Sequence, residues 1–174
     1  MSEPKLAQHQ LFKGTKDLST AAIGDDLGFV EFTITTEMVE RNAWANDDYN
    51  PWYMVDSPFG GRIASPATPL AYDGDLFFNY YAYPAGGNLF AKQEFEFIKP
   101  LFIGQTYRIT GQLVEMYQRK GRTFYRVRMS VTDSDGVEVM RMYKTNASPV
   151  HPEPVDTEPV HPEPVQPEAE STHG

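Results

Sequence analysis

The hydrophobic period of the chain changes twice. From Asp26 to Ile34, Val30, Phe32 and Ile34 alternate with Glu31 and Thr33, the pattern of a strand with one buried face. Thr35 or Thr36 then caps a short helix, with Glu37 and Glu40 near its positive end and Met38, Val39 and Ala43 on its apolar face. That helix should fail near Asn46-Asp47-Asp48. Asn50-Pro51 forces an extended turn, and Phe59-Gly60-Gly61 is a second break. Leu70, Ala71, Phe77, Phe78 and Tyr81 then recur at roughly helical spacing. They predict one main helix over Pro69 to Tyr81, with Pro69 in its first turn and Gly74 as its weak point.

After Gly86-Gly87 the period returns to two. Phe95 and Phe97 alternate with Glu94 and Glu96. Ile109, Gly111 and Leu113 sit in a run from Thr106 to Met116, and Tyr125, Val127, Met129 and Val131 alternate with Arg126, Arg128, Ser130 and Thr132. Val137, Val139 and Arg141 follow the hairpin signal Asp133-Ser134-Asp135-Gly136, while Gly104-Gln105 and Lys120-Gly121 mark the other turns. One early strand, a main helix and at least four antiparallel strands make an α+β domain. Such a sheet needs a helix or a partner over its apolar face.

The ends read differently. Seven of the fourteen prolines lie between Pro149 and Pro167, and Val-His-Pro-Glu-Pro-Val occurs at 150–155 and again at 160–165. Proline removes N–H donors and the like charges repel, so residues 147–174 are expected to be a disordered, dispensable Pro/Glu-rich tail. Residues 1–25 hold few large apolar side chains and read as an arm wrapped loosely over the surface, leaving 26–146 as the domain. The net charge of −9 belongs largely to the tail, whose six acids have no Lys or Arg beside them, so the remainder stands at −3. No basic footprint for nucleic acid is present. No apolar run is long enough to span a membrane and the first ten residues carry no secretion signal, so a cytoplasmic protein is expected.

Candidate chemistry is narrowed by what the composition lacks. There is no cysteine, and no histidine between Gln10 and Val150. Disulfides, thiolate metal sites and cysteine nucleophiles are excluded, and an imidazole would have to come from another chain. Ser57 and Ser65 have no local histidine base. Asp133-Ser134-Asp135-Gly136 lacks the ends of a calcium loop, since Val131 and Met142 occupy the ligand positions. Asp73-Gly74-Asp75 has no further ligand near it and reads as a solvated helix turn. No metal or cofactor site is expected.

The informative stretch is Asp48-Tyr49-Asn50-Pro51-Trp52-Tyr53 with Phe59-Gly60-Gly61-Arg62-Ile63-Ala64-Ser65-Pro66, followed downstream by Lys99-Pro100-Leu101-Phe102-Ile103-Gly104-Gln105-Thr106. In this ordered set the chain resembles the MaoC-like dehydratase and hydratase family of hot-dog proteins. The family's pattern is Asp-x-Asn-Pro-x-His, then Phe-Gly-Gly-x-Ile-Ala-His-Gly, then Pro-x-x-x-Gly-Asp-Thr. The resemblance implies a hot-dog fold, with one long central helix near residues 67–82 wrapped by five or six antiparallel strands. It also implies a site where an Asp and a His hold the water that adds to an enoyl thioester, while a main-chain N–H at the helix start polarises the carbonyl.

This chain keeps Asp48 and Asn50-Pro51. It has Tyr53 at the histidine position, and Ser65-Pro66 for His-Gly, so the residue at the helix start has no N–H. Asp-x-Asn-Pro-x-Tyr with Ile-Ala-x-Pro-x-Thr looks more like the N-terminal type of MaoC dehydratase domain, often the acyl-binding half of a pair. The implied candidates are Asp48 and Tyr53 as catalytic residues, with Asn50, Trp52, Ser65, Tyr80 and Tyr81 binding substrate. The implied ligand is a coenzyme A or acyl-carrier-protein thioester, and the implied assembly is a homodimer or a heterodimer with a second hot-dog subunit. Three readings stay open. The chain is a hydratase or dehydratase through Asp48 and Tyr53, a binding subunit whose partner carries the histidine, or a hot-dog thioesterase.

Overall fold

The computed structural model describes residues 14–82 and 87–148; Tyr83 and the part of the expected 147–174 tail from residue 149 lie outside them, whereas Ala147, assigned to that tail, is buried and ends the last strand. Strand β1 (Asp26–Thr33) leads into helix α1 (Thr36–Asn46), whose first turn is capped by the Thr35 hydroxyl accepting from the Met38 N–H at 3.2 Å. Asp47 ends α1 in the left-handed region at φ 52°. A single 3-10 turn (Pro51–Tyr53) and a looped segment then bring the chain to the central helix α2 (Leu70–Tyr80). Four strands follow: β2 (Leu89–Phe97), β3 (Thr106–Arg119), β4 (Arg122–Thr132) and β5 (Glu138–Ala147).

All five strands form one antiparallel sheet in the order β1-β3-β4-β5-β2. This is the hot-dog arrangement, though the helix inside it has 11 residues, about three turns, and is shorter than the expected span of 67–82. Pro69 sets its start, and the chain turns extended at Tyr81. The turns follow their sequence signals. Lys120 and Gly121 both take positive φ between β3 and β4. Asp133 Oδ1 accepts from the N–H groups of Asp135 and Val137 before β5, with Gly136 at φ 78°.

The inner face of the sheet holds Tyr107, Ile109, Leu113, Tyr125, Val127, Met129, Val131, Met140 and Met142, all buried. On β5 the phase differs from the sequence reading. Met140 and Met142 point inward, whereas Arg141 lies on the outer face with Glu96 and Glu138. The outer face is laced by charge pairs, including Arg126 with Glu94 and Glu115, and Arg108 with Glu31.

Helix α2 lays Leu76, Phe77 and Phe78 into this core, and its Tyr72 stacks on Phe32 of β1 at 4.5 Å between centroids. Leu76 sits directly over Gly111 of β3; a Cβ there would lie 2.7 Å from Leu76 Cδ2. Among the described residues, strand β2 forms one edge and pairs with β5 alone. Leu89, Phe90, Phe95, Phe97 and Ile98 along it are exposed.

Two expectations are corrected. Residues 14–25 are part of the domain and do not wrap loosely. Gly14 donates to the Phe78 carbonyl at 2.9 Å and packs too close to the Tyr81 carbonyl for any side chain, and Leu18 is buried. Asp73 is not on a solvated turn. It is 2% exposed, and it accepts from Lys144 Nζ at 2.6 Å and Gln93 Nε2 at 3.0 Å. Its position four residues before Phe77 places it on the inward face of α2.

The Leu76–Gly111 approach yields a direct expectation. Gly111→Val drives two methyl groups into α2 and should cost about 1–3 kcal/mol of stability through overpacking. A lowered urea midpoint with an unchanged m-value is the expected result.

Candidate functional site

The segment between α1 and α2 folds back over the start of the central helix. Asn50 caps the 3-10 turn, its Oδ1 accepting from the Trp52 N–H at 3.0 Å, and Pro51 supplies the fixed φ of the first position. That turn drives the Tyr53 side chain inward, leaving it 4% exposed, and turns Trp52 outward against Phe59. Arg62 grips the Tyr53 carbonyl with Nε at 2.9 Å and Nη2 at 2.7 Å. Ile63 donates to the Trp52 carbonyl and Ala64 to the Leu101 carbonyl, so the loop is tied on both sides before it enters α2.

Two hydroxyls and one carboxyl group meet here. The Tyr53 hydroxyl donates to Asp48 Oδ2 at 2.7 Å, with Asp48 half-buried. Burial pushes the Tyr53 hydroxyl above its ordinary value; the Asp48 carboxylate adds to the rise, and the Ser65 hydroxyl, bonded to it, works in the other direction. Tyr53 therefore stays protonated at neutral pH and donates its hydroxyl hydrogen to the Asp48 carboxyl oxygen. Ser65 is buried, and its carbonyl accepts from the Thr68 N–H at 2.9 Å. Thr68, also buried, has a hydroxyl with no hydrogen-bond partner among the described residues. The stretch from Pro66 to Pro69 offers two prolines without N–H groups at the helix start.

The structure thus brings together Asp48, Asn50, Tyr53 and Ser65, with Trp52 on the rim. It does not bring Tyr80 and Tyr81 to them. These lie at the far end of α2, about 16 Å away along an 11-residue helix. Tyr81 is wholly buried and its hydroxyl donates to Asp25 Oδ2 at 2.6 Å, so it presents nothing to a substrate. Tyr80 carries the Lys16 ammonium over its ring at 5.3 Å. Both belong to a latch that ties the arm to the end of α2. The sequence reading erred because an aromatic run after a helix looks the same whether it lines a pocket or anchors an arm.

Two participants were missed. Arg62 fills the variable position of the Phe-Gly-Gly-x-Ile-Ala pattern, and only its contact with the Tyr53 carbonyl shows its use. Thr68 stood in the quoted motif without a role. An open cleft of about 390 Å³ lies nearby between Phe59, Phe102, Lys99, Asp133 and Val139, but Asp48, Tyr53 and Ser65 do not line it. Among the described residues no three His, Asp or Glu side chains converge to hold a metal. No helix of the described residues is long and apolar enough to cross a membrane.

The sequence model of the FAS1-like, dehydratase domain region matches residues 21–142, well over half of the chain. The chain belongs to this family of MaoC-like hot-dog domains. No curated protein sequence matches it significantly. Solved structures carry the same fold. A MaoC-like dehydratase from Rhodospirillum rubrum is similar at TM-score 0.64 and 18% identity over 80% of this chain and 100% of that one. The R-hydratase PhaJ1 from Pseudomonas aeruginosa reaches 0.62 and 18% over 75% and 84%. The C-terminally truncated HadBC complex, a 3R-hydroxyacyl-ACP dehydratase from Mycobacterium tuberculosis, reaches 0.67 and 20% over 75% and 100%.

The latch gives a pH signature. Lys16, at 2.6 Å, and then Tyr81 hold the Asp25 carboxyl down at about 2, against an ordinary 3.8. Because the folded value lies below the unfolded one, the stabilisation is full above 3.8 and disappears as pH falls through about 2. Asp25→Asn should lower the denaturation midpoint at neutral pH, and the gap to wild type should close as the pH falls through this window. A gap of constant size down to the lower limit would rule out the linkage.

Proposed function

We propose that this domain acts on an acyl thioester, adding water to, or removing it from, the α,β position of the acyl group. The observation that carries the reading is the 2.7 Å bond from Tyr53 to Asp48 beside Ser65 at the start of α2. The pair contains both functions that hydration needs. Asp48 orients a water and accepts its proton as the oxygen attacks Cβ, and Tyr53 delivers its own proton to Cα. The Tyr53–Asp48 hydrogen bond then carries the proton from the carboxyl back to the phenolate, restoring both groups. Dehydration is the reverse. Ser65 and Thr68, both buried, with the Thr68 hydroxyl unpartnered among the described residues, would receive the enolate-like oxygen in the place of the N–H that Pro66 lacks. The substrate class, a coenzyme A or carrier-protein ester, rests on the family.

A second reading has its own support. Tyr53 is held protonated and both prolines at the helix start lack N–H groups, so the domain is also suited to bind the acyl group while another hot-dog chain supplies an imidazole. The apolar exposed edge of β2 supports pairing with such a chain, as does the two-component HadBC assembly among the similar structures.

Homogeneous protein assayed with a panel of 2-enoyl-CoA esters, its solution mass measured alongside, separates the two. The first reading expects loss of the conjugated enoyl absorbance, with Asp48→Asn and Tyr53→Phe each reducing kcat by about 10²–10⁴-fold while the melting transition stays cooperative. The second expects turnover only when a histidine-bearing hot-dog chain is added. Release of free thiol without hydration would instead identify a thioesterase.

A further inference from the structure

The open cleft beside the candidate site takes no part in the chemistry described so far. It lies where the β2–β3 connection, the β4–β5 hairpin and the loop after the 3-10 turn meet, and its volume is about 390 Å³. Phe59, Pro100 and Phe102 give it apolar walls. Hydrogen bonds fix its frame. The Lys99 N–H donates to the Val139 carbonyl at 3.0 Å, and the Phe102 N–H to the Tyr107 hydroxyl at 2.8 Å. On the opposite bank, Asp133 Oδ1 accepts from two N–H groups of the hairpin.

The polar groups on the rim are unengaged. Among the described residues, neither the Lys99 ammonium nor the Asp135 carboxylate has a hydrogen-bond or ion-pair partner, and the two do not pair with each other across the cleft. The Tyr107 hydroxyl donates to Gln105 Oε1 at 3.1 Å, which leaves the Gln105 amide NH2 as a free donor. An ammonium and an amide donor thus stand against a carboxylate acceptor over an apolar floor. A simple anion is disfavoured by Asp133 and Asp135, and a simple cation by Lys99. The complement is a flat ring with a hydrogen-bond donor on its edge and an anionic group attached on the other side. A nucleobase with an exocyclic amine, joined through its sugar to a phosphate, has this form. Its face packs on an aromatic ring, its amine donates to a carboxylate, and its phosphate accepts from an ammonium. The cleft volume falls within the roughly 300–1,000 Å³ of small-ligand sites.

Two sets of contacts join the cleft to the Asp48–Tyr53 pair. Phe59 meets Trp52 edge to face at 5.9 Å between centroids, and Trp52 immediately precedes Tyr53. Arg62, whose guanidinium holds the Tyr53 carbonyl, accepts at its own carbonyl from the Ile103 N–H at 3.1 Å. Gly61 beside it lies against the Phe102 ring, where a Cβ would be 3.5 Å from Cδ1. The loop over residues 52–62 therefore borders both. We propose that the cleft is the seat of an adenosine 3′-phosphate, the nucleotide end of coenzyme A, with adenine against Phe59, its amine on Asp135 and the 3′-phosphate on Lys99. The proposal rests on the acyl-thioester reading above for its purpose, and it narrows that reading. A carrier protein's phosphopantetheine arm has no nucleotide, so a domain that makes these contacts prefers a coenzyme A ester.

Calorimetry on the full-length protein, together with any hot-dog subunit that co-purifies, measures the affinity for coenzyme A, dephospho-coenzyme A and adenosine 3′,5′-bisphosphate. The bisphosphate should bind by itself, and coenzyme A should bind about fivefold more tightly than the form without the 3′-phosphate. Lys99→Gln should erase that ratio by weakening coenzyme A alone, so that the losses from removing the phosphate and the ammonium coincide instead of adding. Phe59→Ala should weaken all three ligands about fivefold. Both side chains are exposed, so neither melting temperature should fall. A merely structural lysine would weaken both forms of coenzyme A alike. Equal affinity for the two forms, a ratio that survives Lys99→Gln, or no binding of the bisphosphate overturns the nucleotide seat, while turnover of enoyl esters still upholds the thioester reading. Lys99-dependent binding of the bisphosphate without turnover of any enoyl ester, by the chain or its assembly, keeps the nucleotide seat and overturns the thioester reading.

Discussion

The close passage of Leu76 over Gly111 fixes the geometry on which the other features depend. A five-stranded sheet with one apolar face has a single three-turn helix to cover it, and only a glycine lets that helix descend onto β3. The helix consequently lies against β1 and β3, with Tyr72 on Phe32, and longer side chains span the distance to β5 and β2. Lys144 is the longest of these. It can be buried only because Asp73 meets it, and a buried ion is tolerated only with a partner and hydrogen bonds.

The same placement builds the candidate site. Because α2 must begin near the end of the sheet where β1 stops, the chain between α1 and α2 has to double back and be tied down before entering the helix. Arg62 on the Tyr53 carbonyl and Ala64 on the Leu101 carbonyl do this. The Asp48–Tyr53 pair is thereby held on a short loop whose backbone is hydrogen-bonded on both sides. In place of an imidazole that titrates near neutrality, the site has a carboxylate and a phenol whose ordinary values lie far apart. Burial raises the phenol further, so Tyr53 keeps its proton across the physiological range.

Much of this was legible in the residues. Strand alternation, the Asp-Gly and Lys-Gly turns and the Thr35 cap are local effects, decided by neighbours in the chain, and they appear where the sequence places them. So does the Asn50-Pro51 turn that delivers Tyr53 next to Asp48. What was not legible depends on distant partners. Asp73 looks like a solvated acid until Lys144, seventy-one residues later, is brought to it. Tyr81 looks like a pocket wall until Asp25 claims its hydroxyl. The phase of β5 was misread because Val137 and Val139 are the apolar residues nearest the turn, whereas the inward positions are set by pairing with β4.

Strand β2 carries one more consequence. Among the described residues it pairs with β5 alone, and the stacked rings of Phe95 and Phe97 are exposed on it. An open sheet margin with exposed aromatic rings is a template for another extended chain, although Lys92, Glu94 and Glu96 and the irregular pairing at Phe90 and Lys92 blunt it. Pairing at such an open margin takes two chains, so its extent rises with concentration, and the behaviour of the domain depends on how much of it is present.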